Sequence, residues 1–311
     1  MQNADIAVLW DDRAFNAGFL VVRPSAASRR LYEMIRQMTK RRRRMDDQRA
    51  LNRAIRTMKR QSKHRGVLRV NVLDRHHFVS GVEYFEKSGR IFPEPSNDSE
   101  TSNKSANPLV VHNNWIVGRE AKIYRFREHL MWLYDGRDEY YSSETRTYLV
   151  YTNPKPSKSS AVKNVVEREL SALRTALAIG HLLNRVVILP RFHCGVAHSQ
   201  CPLNSLVHIK SFDFSFSGRY RENIFLRHPK VPESVKRDVA DRRFSLNANQ
   251  TSDVVVSGAD VLRLFSEITA KVLNLSNITR VTIDINDGSI DDEFSGKLQS
   301  AFRRSRYRQI H

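Results

Sequence analysis

The stretch SALRTALAIGHLLNRVVILP, residues 171–190, passes from a helical pattern into a β-branched strand that Pro190 ends. The helix is predicted to run from about Ala161 to Asn184, and the strand is predicted at Arg185–Leu189. Apolar residues recur along one side of the helix: Val162, Val166, Leu170, Leu173 and Leu177. Tyr148–Tyr151 has the composition of a strand just before it. Strand, helix and strand in this order predict a right-handed βαβ unit in a parallel sheet.

The same order recurs nearer the C-terminus, with a strand at Asp253–Val256, a helix at Asp260–Leu273 and a strand at Val281–Ile285. A shift in composition towards Pro, Ser and Lys marks a boundary at Ser142–Ser160. We therefore predict two α/β domains. Residues 1–141 form the first, residues 142–160 a linker with one strand, and residues 161–311 the second.

The first domain is predicted to contain two strands followed by two amphipathic helices. The strands are Ile6–Trp10 and Phe19–Val22, Ser25 can cap the first helix, and Lys40–Arg44 is a basic turn between the helices. Two apolar stripes have helical spacing: Leu31, Met34, Ile35 and Met38, then Leu51, Ala54, Ile55 and Met58. Further predicted segments are strands at Val67–Leu73 and Leu109–Val111, with a polar loop at Pro93–Pro108 between them.

Positive charge is concentrated in one part of the first domain. The net charge is +19, and Arg36–Arg65 holds thirteen Lys or Arg against two Asp, a local excess of +11. Such a block can bind nucleic acid, anionic lipid or a polyanionic glycan, and its ordinary explanation is a solvated helix face. Because no aromatic residue lies within it, the stacking platform of a single-strand nucleic-acid binder is missing.

The cellular compartment is indicated by cysteines and glycosylation sequons. Cys194 and Cys201 have six residues between them and could form a disulfide in an oxidising compartment, or remain two buried thiols. Five sequons begin at Asn97, Asn103, Asn249, Asn274 and Asn277. Together these features favour the secretory lumen. No apolar run reaches the ~18–20 residues of a membrane span, so a membrane anchor would have to lie outside this sequence.

The segment VVHNNWIVGREAKIYRFREHLMW, Val110–Trp132, combines residue types that suit a metal-bound diphosphate. A strand ends at His112, and a loop then carries Gly118 and Lys122. Imidazole can ligate a divalent cation, glycine lets backbone approach phosphate oxygens, and an ammonium group neutralises them. From these three residues alone, a strand-end histidine and a surface lysine remain the favoured explanation.

Several segments in order resemble one family. FNAGFLVVRPS (15–25), DDQRALN (46–52), VLDRHHFVSGVEYF (72–85) and the Val110–Trp132 segment look like a nucleotide-diphospho-sugar transferase domain. They are most similar to glycosyltransferase family 77, the plant-type arabinosyl-, xylosyl- and galactosyltransferases. SALRTALAIGHLLNRVVILPRFHC (171–194) resembles the region that follows the catalytic domain in extended members, and its core is similar to the first Rossmann half of fucosyltransferase-like folds.

The resemblance implies a partial GT-A domain, a Rossmann-like sheet that binds a sugar nucleotide and a divalent metal, commonly Mn²⁺, followed by a second Rossmann-like α/β domain. Asn16 and Gly18 match the family's Asn-x-Gly strand facing the donor sugar. His112 matches a metal ligand. Gly118 and Lys122 match the diphosphate-binding turn and lysine.

Asp46, Asp47 and Gln48 match the family's Asp-Gln pair near donor and acceptor. On this basis Asp46 is a donor-binding candidate, while Asp47 and Gln48 are catalytic candidates that would orient an acceptor or donor hydroxyl. The alternative for Asp46 and Asp47 is stabilisation of a helix dipole. Asp11-Asp12 has the composition of a metal pair, but the resemblance places it beyond the family's metal-binding Asp-x-Asp.

The resemblance also implies a departure. In the family, the Asp-x-Asp strand and the first nucleotide-binding βαβ unit lie upstream of the position matched by the start of this sequence. We therefore expect either an N-terminally incomplete transferase or one that is inactive. The expected reaction moves a sugar, with retention, from a UDP-sugar to a glycan or glycoprotein in the Golgi or secretory lumen. The alternatives are a non-catalytic carbohydrate- or polyanion-binding module and, less favoured, a basic nucleic-acid-binding protein.

Overall fold

A computed structural model describes residues 3–11, 13–41, 45–61, 67–87, 108–136, 138–153, 161–194, 200–244, 254–284 and 287–303. Contacts divide the chain into two compact units, Met1–Ile116 and Val117–His311. The mixed α/β class with parallel sheets is confirmed. Within the described ranges no helix is both long and apolar enough to cross a membrane. The sequons at Asn97, Asn103 and Asn249, and residues 93–107 of the predicted loop, lie outside those ranges.

Two small sheets are present in the part of the first unit that the structure describes. Its strands are β1 (Ile6–Asp11), β2 (Ala14–Val22), β3 (Val70–Val72), β4 (Phe78–Ser80) and β5 (Val110–His112). One sheet has the order β2-β1-β3, in which β1 pairs with β2 antiparallel and with β3 parallel. The other is the parallel pair β4 and β5. Strand β2 begins five residues before the predicted Phe19, because its pairing with β1 extends to Asp11 opposite Ala14.

Two helices cover the first sheet, α1 (Ala26–Arg41) and α2 (Asp47–Gln61). The predicted α2 stripe is buried, and it joins a core with residues from β1, α1 and the segment before β3: Ile6, Val8, Leu31, Leu51, Ala54, Ile55, Met58 and Leu68. Burying side chains of this size stabilises by ~1.5–3 kcal/mol each. The Ser25 hydroxyl accepts a bond from Ser28 N at 3.1 Å, as its predicted capping role requires. Lys40 and Arg41 continue α1, so the turn predicted at Lys40–Arg44 was wrong for those two residues.

The second unit is built on a five-stranded parallel sheet. The strands of the whole unit, in this sheet and in two separate strand pairs, are β6 (Tyr148–Tyr151), β7 (Val186–Ile188), β8 (Phe192–His193), β9 (Gln200–Cys201), β10 (Tyr220–Arg221), β11 (Val239–Arg243), β12 (Val254–Val256), β13 (Val272–Ser276) and β14 (Val281–Ile283). Its helices are α3 (Arg119–Arg127), α4 (Val162–Leu182), α5 (Ile209–Phe216), α6 (Glu233–Arg237), α7 (Gly258–Phe265) and α8 (Asp292–Arg303). The main sheet has the order β10-β7-β6-β13-β11. Since β6 and β7 are parallel neighbours joined through α4, the predicted βαβ unit is present.

The helix predicted at Asp260–Leu273 was wrong in its second half. Helix α7 ends at Phe265, and β13 begins at Val272 between β6 and β11. The backbone N–H of Val272 donates to the Asp238 carbonyl at 2.9 Å, and the Val272 side chain is buried. Pairing with two distant strands therefore overrides the helical spacing of the apolar residues. Strand β12, which precedes α7, and strand β14, which follows β13, are parallel neighbours, as predicted.

Described residues of the range 117–141, which the sequence assigned to the first domain, pack within the second unit. The Tyr124 ring lies 5.8 Å from the Tyr220 ring, and the Tyr140 hydroxyl donates to Glu222 Oε2 at 2.8 Å. By contact the chain divides at residue 116, whereas the composition shift places the domain boundary at residue 141. The domain limits drawn from the sequence stay a prediction.

A disulfide links Cys194 to Cys201, with the two Cα atoms 5.8 Å apart. It closes the antiparallel pair β8 and β9, in which Phe192 lies opposite Cys201. Of the two alternatives that the sequence leaves open for these cysteines, the structure contains the bonded one.

Candidate functional site

Two predicted donor-binding residues and the predicted metal ligand, from distant parts of the chain, meet in the first unit. Asn16 and Gly18 lie on β2, and His112 is the last residue of β5. A Cβ atom placed on Gly18 would lie 2.5 Å from His112 Cε1 and 2.6 Å from His112 Nε2. The imidazole therefore rests directly on the Gly18 backbone, and only glycine leaves it that space.

Asn16 fixes the shape of the strand beside the imidazole. Its side chain is buried, and its Oδ1 accepts a bond from the Gly18 N–H at 2.6 Å. Its Nδ2 donates to Asp11 Oδ2 at 3.0 Å. Both ends of the amide are thus engaged within the unit, so Asn16 orients the Gly18 backbone.

Asp11 is the centre of the hydrogen-bond network and was not among the predicted site residues. Its side chain is buried at the end of β1, next to the β1–β2 turn. Besides the Asn16 bond, Oδ2 accepts from Asn114 Nδ2 at 2.8 Å and Oδ1 accepts from Trp115 Nε1 at 2.8 Å. Three N–H donors satisfy the buried carboxylate. They also tie the β1–β2 turn to the segment after β5.

The segment after β5 is held tightly against the segment after β4. Asn114 Oδ1 accepts from the Gly81 N–H at 2.7 Å. A Cβ atom on Gly81 would lie 2.6 Å from the Asn114 carbonyl oxygen, so a larger residue would separate the two chains. Trp115 has a φ of 60°, a left-handed conformation that residues other than glycine rarely adopt.

A cavity of about 140 Å³ adjoins this network. Asp11 and Ser80 belong to its wall. Ser80 pairs opposite His112 in the parallel register of β4 and β5, so the cavity lies next to the residues predicted for the donor. The wall is otherwise aromatic, apolar and charged: Trp10, Arg75, Phe78, Val82, Glu83 and Trp115.

The catalytic candidates lie at the start of α2. Asp46 Oδ1 accepts from the Arg49 N–H at 2.7 Å, which is the bond of a helix cap, and Asp47 Oδ1 accepts from the Gln48 N–H at 2.8 Å. Gln48 Oε1 accepts from the Ala17 N–H at 3.5 Å, which brings this helix end beside the strand of Asn16 and Gly18. The capping role of Asp46 is thus present in the structure, while the catalytic roles of Asp47 and Gln48 stay predictions.

The predicted diphosphate residues belong to the second unit. Gly118 precedes α3 with a φ of 102°, a backbone conformation that favours glycine. The Lys122 N–H donates to the Gly118 carbonyl at 3.2 Å, so Lys122 lies in the first turn of α3. The prediction that a loop carries Lys122 was therefore wrong. A glycine turn at a helix N-terminus is the setting in which proteins bind phosphate groups.

The described parts of the chain contain no group of three or more His, Cys, Asp or Glu side chains arranged to hold a metal ion. Asp11, whose carboxylate is hydrogen-bonded to Asn16, uses both oxygens in hydrogen bonds within the unit. These residues do not form a complete protein metal site. His112 would supply one ligand, and a cation would need others from the donor or from elsewhere.

The second unit has a buried ionisable group that the sequence did not indicate. His193 Nδ1 lies 2.7 Å from Glu169 Oε1, and Asn153 donates to the other oxygen of Glu169. Asn153 follows β6, His193 ends the short strand β8 that comes after β7, and Glu169 lies on α4, so the group is at the carboxyl edge of the main sheet. The pairing joins residues 24 positions apart, which no local pattern predicts.

Residues 3–126 match the model of the nucleotide-diphospho-sugar transferase family. The matched range includes every residue predicted for donor binding and catalysis, from Asn16 to Lys122, and it covers less than half of the 311-residue chain. We found no match among curated proteins or solved structures. The first part of the chain is therefore similar to enzymes that use nucleotide-diphosphate sugars. The narrower resemblance to family 77 remains a hypothesis.

Proposed function

We propose that this protein transfers a sugar from a nucleotide-diphosphate donor, a UDP-sugar, to a glycan or glycoprotein acceptor. The observation that carries the proposal is the meeting of Asn16, Gly18 and His112 around one backbone position. These residues come from segments almost a hundred positions apart. The family resemblance predicts Asn16 and Gly18 for donor binding and His112 for a metal ligand. The family match over residues 3–126 supports the same class of reaction.

In this reaction the leaving group is a nucleoside diphosphate, which the protein must stabilise. Negative charge grows on the leaving group as the glycosidic bond breaks, and fixed positive groups and N–H donors lower that barrier. Gly118 and Lys122, which belong to the second unit, are the residues that the family resemblance implies for the diphosphate: the helix N-terminus would offer N–H groups and Lys122 an ammonium charge. His112 would supply one ligand to a divalent cation such as Mn²⁺, whose charge would neutralise the diphosphate.

Asp47 and Gln48 are proposed to orient the reacting hydroxyl. Both lie at the start of α2, beside the strand of Asn16 and Gly18. The Asp47 side chain is exposed, so its carboxylate can reach a substrate that approaches from solvent. A carboxylate in that position would accept a hydrogen bond from an acceptor or donor hydroxyl.

We also propose that the protein works in the secretory lumen, in the Golgi. The disulfide between Cys194 and Cys201 supports an oxidising compartment. The Asn274 sequon does not add to this, because Asn274 lies within β13 and its Nδ2 donates to Asp241 at 2.8 Å. Glycosylated asparagines lie on surface loops rather than inside a paired strand.

A second candidate function is binding of a polyanionic glycan without catalysis. Helix α2 exposes four arginines at helical spacing, opposite its buried stripe: Arg49, Arg53, Arg56 and Arg60. Binding to immobilised polygalacturonate tests this function. The function is favoured if the protein is retained, if retention falls steeply as salt is added, and if replacing these arginines by Gln abolishes it. Retention without UDP-sugar turnover would separate it from the transferase proposal.

The transferase proposal is tested by incubating the protein with a panel of UDP-sugars and measuring released UDP, with Mn²⁺ or with EDTA. We expect release from at least one donor, and we expect EDTA to reduce it at least tenfold. No release of UDP from any donor of the panel would contradict the proposal. An N-terminally longer version of the protein in the same assay tests the expectation that part of the donor site lies upstream.

A further inference from the structure

The cavity beside Asp11 has the surface chemistry of a sugar-binding site. Three aromatic residues, Trp10, Phe78 and Trp115, line its wall together with two acidic residues, Asp11 and Glu83. Aromatic rings offer flat apolar faces, and carboxylates accept hydrogen bonds from hydroxyl groups. A sugar ring presents both kinds of partner, since C–H groups cover its faces and hydroxyl groups line its edge.

Trp115 is exposed and yet fixed in position. Its relative exposure is 61%, which is high for a tryptophan in a folded protein. Its backbone has a φ of 60°, and its indole N–H donates to Asp11 Oδ1 at 2.8 Å. The hydrogen bond at one edge of the ring holds the indole while much of its surface stays open. Such a ring can stack on a ligand without a further cost of ordering the side chain.

The charges of the cavity select among ligands that could stack on this ring. Asp11 and Glu83 would repel a diphosphate, and Arg75 forms an ion pair with Glu83 at 3.5 Å. A neutral ring with hydroxyl groups meets no such repulsion. The cavity volume of about 140 Å³ suits a single ring rather than a chain of sugars.

We propose that this cavity binds one neutral sugar ring, with Trp115 as its stacking platform and Asp11 as the residue that positions the indole. The proposal rests on the proposed function, because it places the ring beside the donor residues. Ser80 lies in the cavity wall opposite His112, and Asp11 accepts from Asn16. The ring is that of the acceptor, or that of the donor, and these two sources differ in whether UDP must be attached.

Saturation-transfer NMR tests the proposal with methyl glycosides of neutral hexoses and pentoses, each added to the full chain without nucleotide. We expect saturation transfer to at least one glycoside. We expect Trp115→Ala to weaken binding roughly five- to tenfold, as loss of an aromatic stack implies, and Trp115→Phe to retain most of it. Phe214→Ala is the matched control, since Phe214 is an exposed aromatic residue in the second unit.

The source of the ring follows from a second arm with UDP and UDP-sugars. Glycoside binding that depends on Trp115 assigns the cavity to the acceptor. If free glycosides do not bind but Trp115→Ala weakens a UDP-sugar more than it weakens UDP, the cavity takes the donor sugar. Equal affinities of wild type and Trp115→Ala for every ligand would overturn the proposal. Failure of wild type to bind UDP would count against the proposed function alone, because the glycoside arm contains no nucleotide.

If Trp115→Ala does not fold, tryptophan fluorescence of the wild-type protein tests the proposal instead. Two of the three tryptophans, Trp10 and Trp115, contribute to the cavity wall. Titration with the glycoside that gives saturation transfer should shift or quench the emission with the same dissociation constant. Unchanged emission at saturating glycoside would overturn the assignment of the cavity.

Discussion

Gly18 matters to the site because it has no side chain. The His112 imidazole occupies the space that a Cβ atom on Gly18 would fill. The strand is held there by Asn16, which accepts from the Gly18 N–H. A residue with a side chain at this position would displace the imidazole, while the rest of the unit would need little adjustment because Gly18 is exposed.

We predict that Gly18→Ala weakens the binding of UDP with Mn²⁺ by about tenfold and changes the free energy of unfolding by less than about 1 kcal/mol. The displaced imidazole would no longer reach the cation, whereas alanine is tolerated in an exposed strand. Calorimetric titration and thermal unfolding measure the two quantities. Gly296→Ala is the control, because a Cβ atom there meets nothing within 4 Å. Equal UDP affinity in the wild type and Gly18→Ala would contradict the contact with His112.

At this scale the sequence predicted the residues that belong to local patterns. Asn16, Gly18 and His112 each stand in a short segment with a recognisable composition. Asp11, Asn114 and Trp115 were not predicted as site residues, since the bonds from Asn114 and Trp115 to Asp11 join residues 103 and 104 positions apart. The sequence feature that could have indicated them is their position: Asp11 ends β1, and Asn114 belongs to a polar cluster just after β5.

Helix α2 reaches the site through two polar side chains on the side that faces β2. Asn52 Nδ2 donates to the Phe15 carbonyl at 2.7 Å, and Asn52 Oδ1 accepts from the Phe15 N–H at 3.0 Å. Gln48, one turn earlier, accepts from Ala17. These bonds replace the partner strand that the outer edge of β2 lacks at Phe15, and they hold the start of α2 beside Asn16.

We predict that Asn52→Ala lowers the free energy of unfolding of the first unit by ~1–3 kcal/mol, because it leaves the Phe15 N–H and carbonyl without these partners. It should also weaken UDP binding, since the strand of Asn16 and Gly18 loses its support. Urea denaturation and calorimetric titration measure both effects. Arg53→Ala removes an exposed neighbour on the same helix and should change neither by more than a small amount. A stable, tightly binding Asn52→Ala variant would show that α2 does not position β2.

The elements that local periodicity defines were predicted well, and those that depend on distant pairing were not. The α2 stripe and the β6–α4–β7 unit follow from apolar spacing and strand composition within short windows. Strand β13 has apolar residues at positions that also continue the α7 pattern, and only its pairing with β6 and β11 makes it a strand. Strand β10 has two residues, too few for any pattern.

The whole molecule is two α/β units, and the order of strands in the second sheet could not be read from the chain. The sequence predicts parallel βαβ units but leaves open which strands are neighbours. The observed order β10-β7-β6-β13-β11 places β6, the first strand of the sheet in the chain, at its centre. The edge positions of β10 and β11 result from long-range pairing, which a single sequence does not encode locally.

The second unit contains a buried carboxyl group whose protonation affects stability. Burial raises the pKa of Glu128 from 4.5 to about 8, so the folded protein holds this proton more tightly than the unfolded chain does. The favourable contribution is complete below the unfolded pKa and is lost as the pH rises through the folded pKa. The loss therefore falls between about pH 4.5 and pH 8.

We predict that Glu128→Gln is close to wild type at pH 4.5 and more stable by on the order of 2–4 kcal/mol at pH 9, since glutamine stays neutral at both values. Urea denaturation across this pH range measures the difference. Glu144→Gln, a change at an exposed glutamate, should show no such dependence on pH. A constant difference between Glu128→Gln and wild type at every pH would mean that Glu128 is not buried as described.

The most direct test of the central claim is calorimetric titration of UDP with Mn²⁺ into wild type, His112→Ala and His208→Ala. His208 is an exposed histidine in the second unit whose ring bonds to Ser211, so its loss should leave the affinity unchanged. We predict that wild type binds UDP and that His112→Ala binds at least tenfold more weakly. Equal affinity of wild type and His112→Ala, or no UDP binding by wild type, would contradict a sugar-nucleotide site built on Asn16, Gly18 and His112.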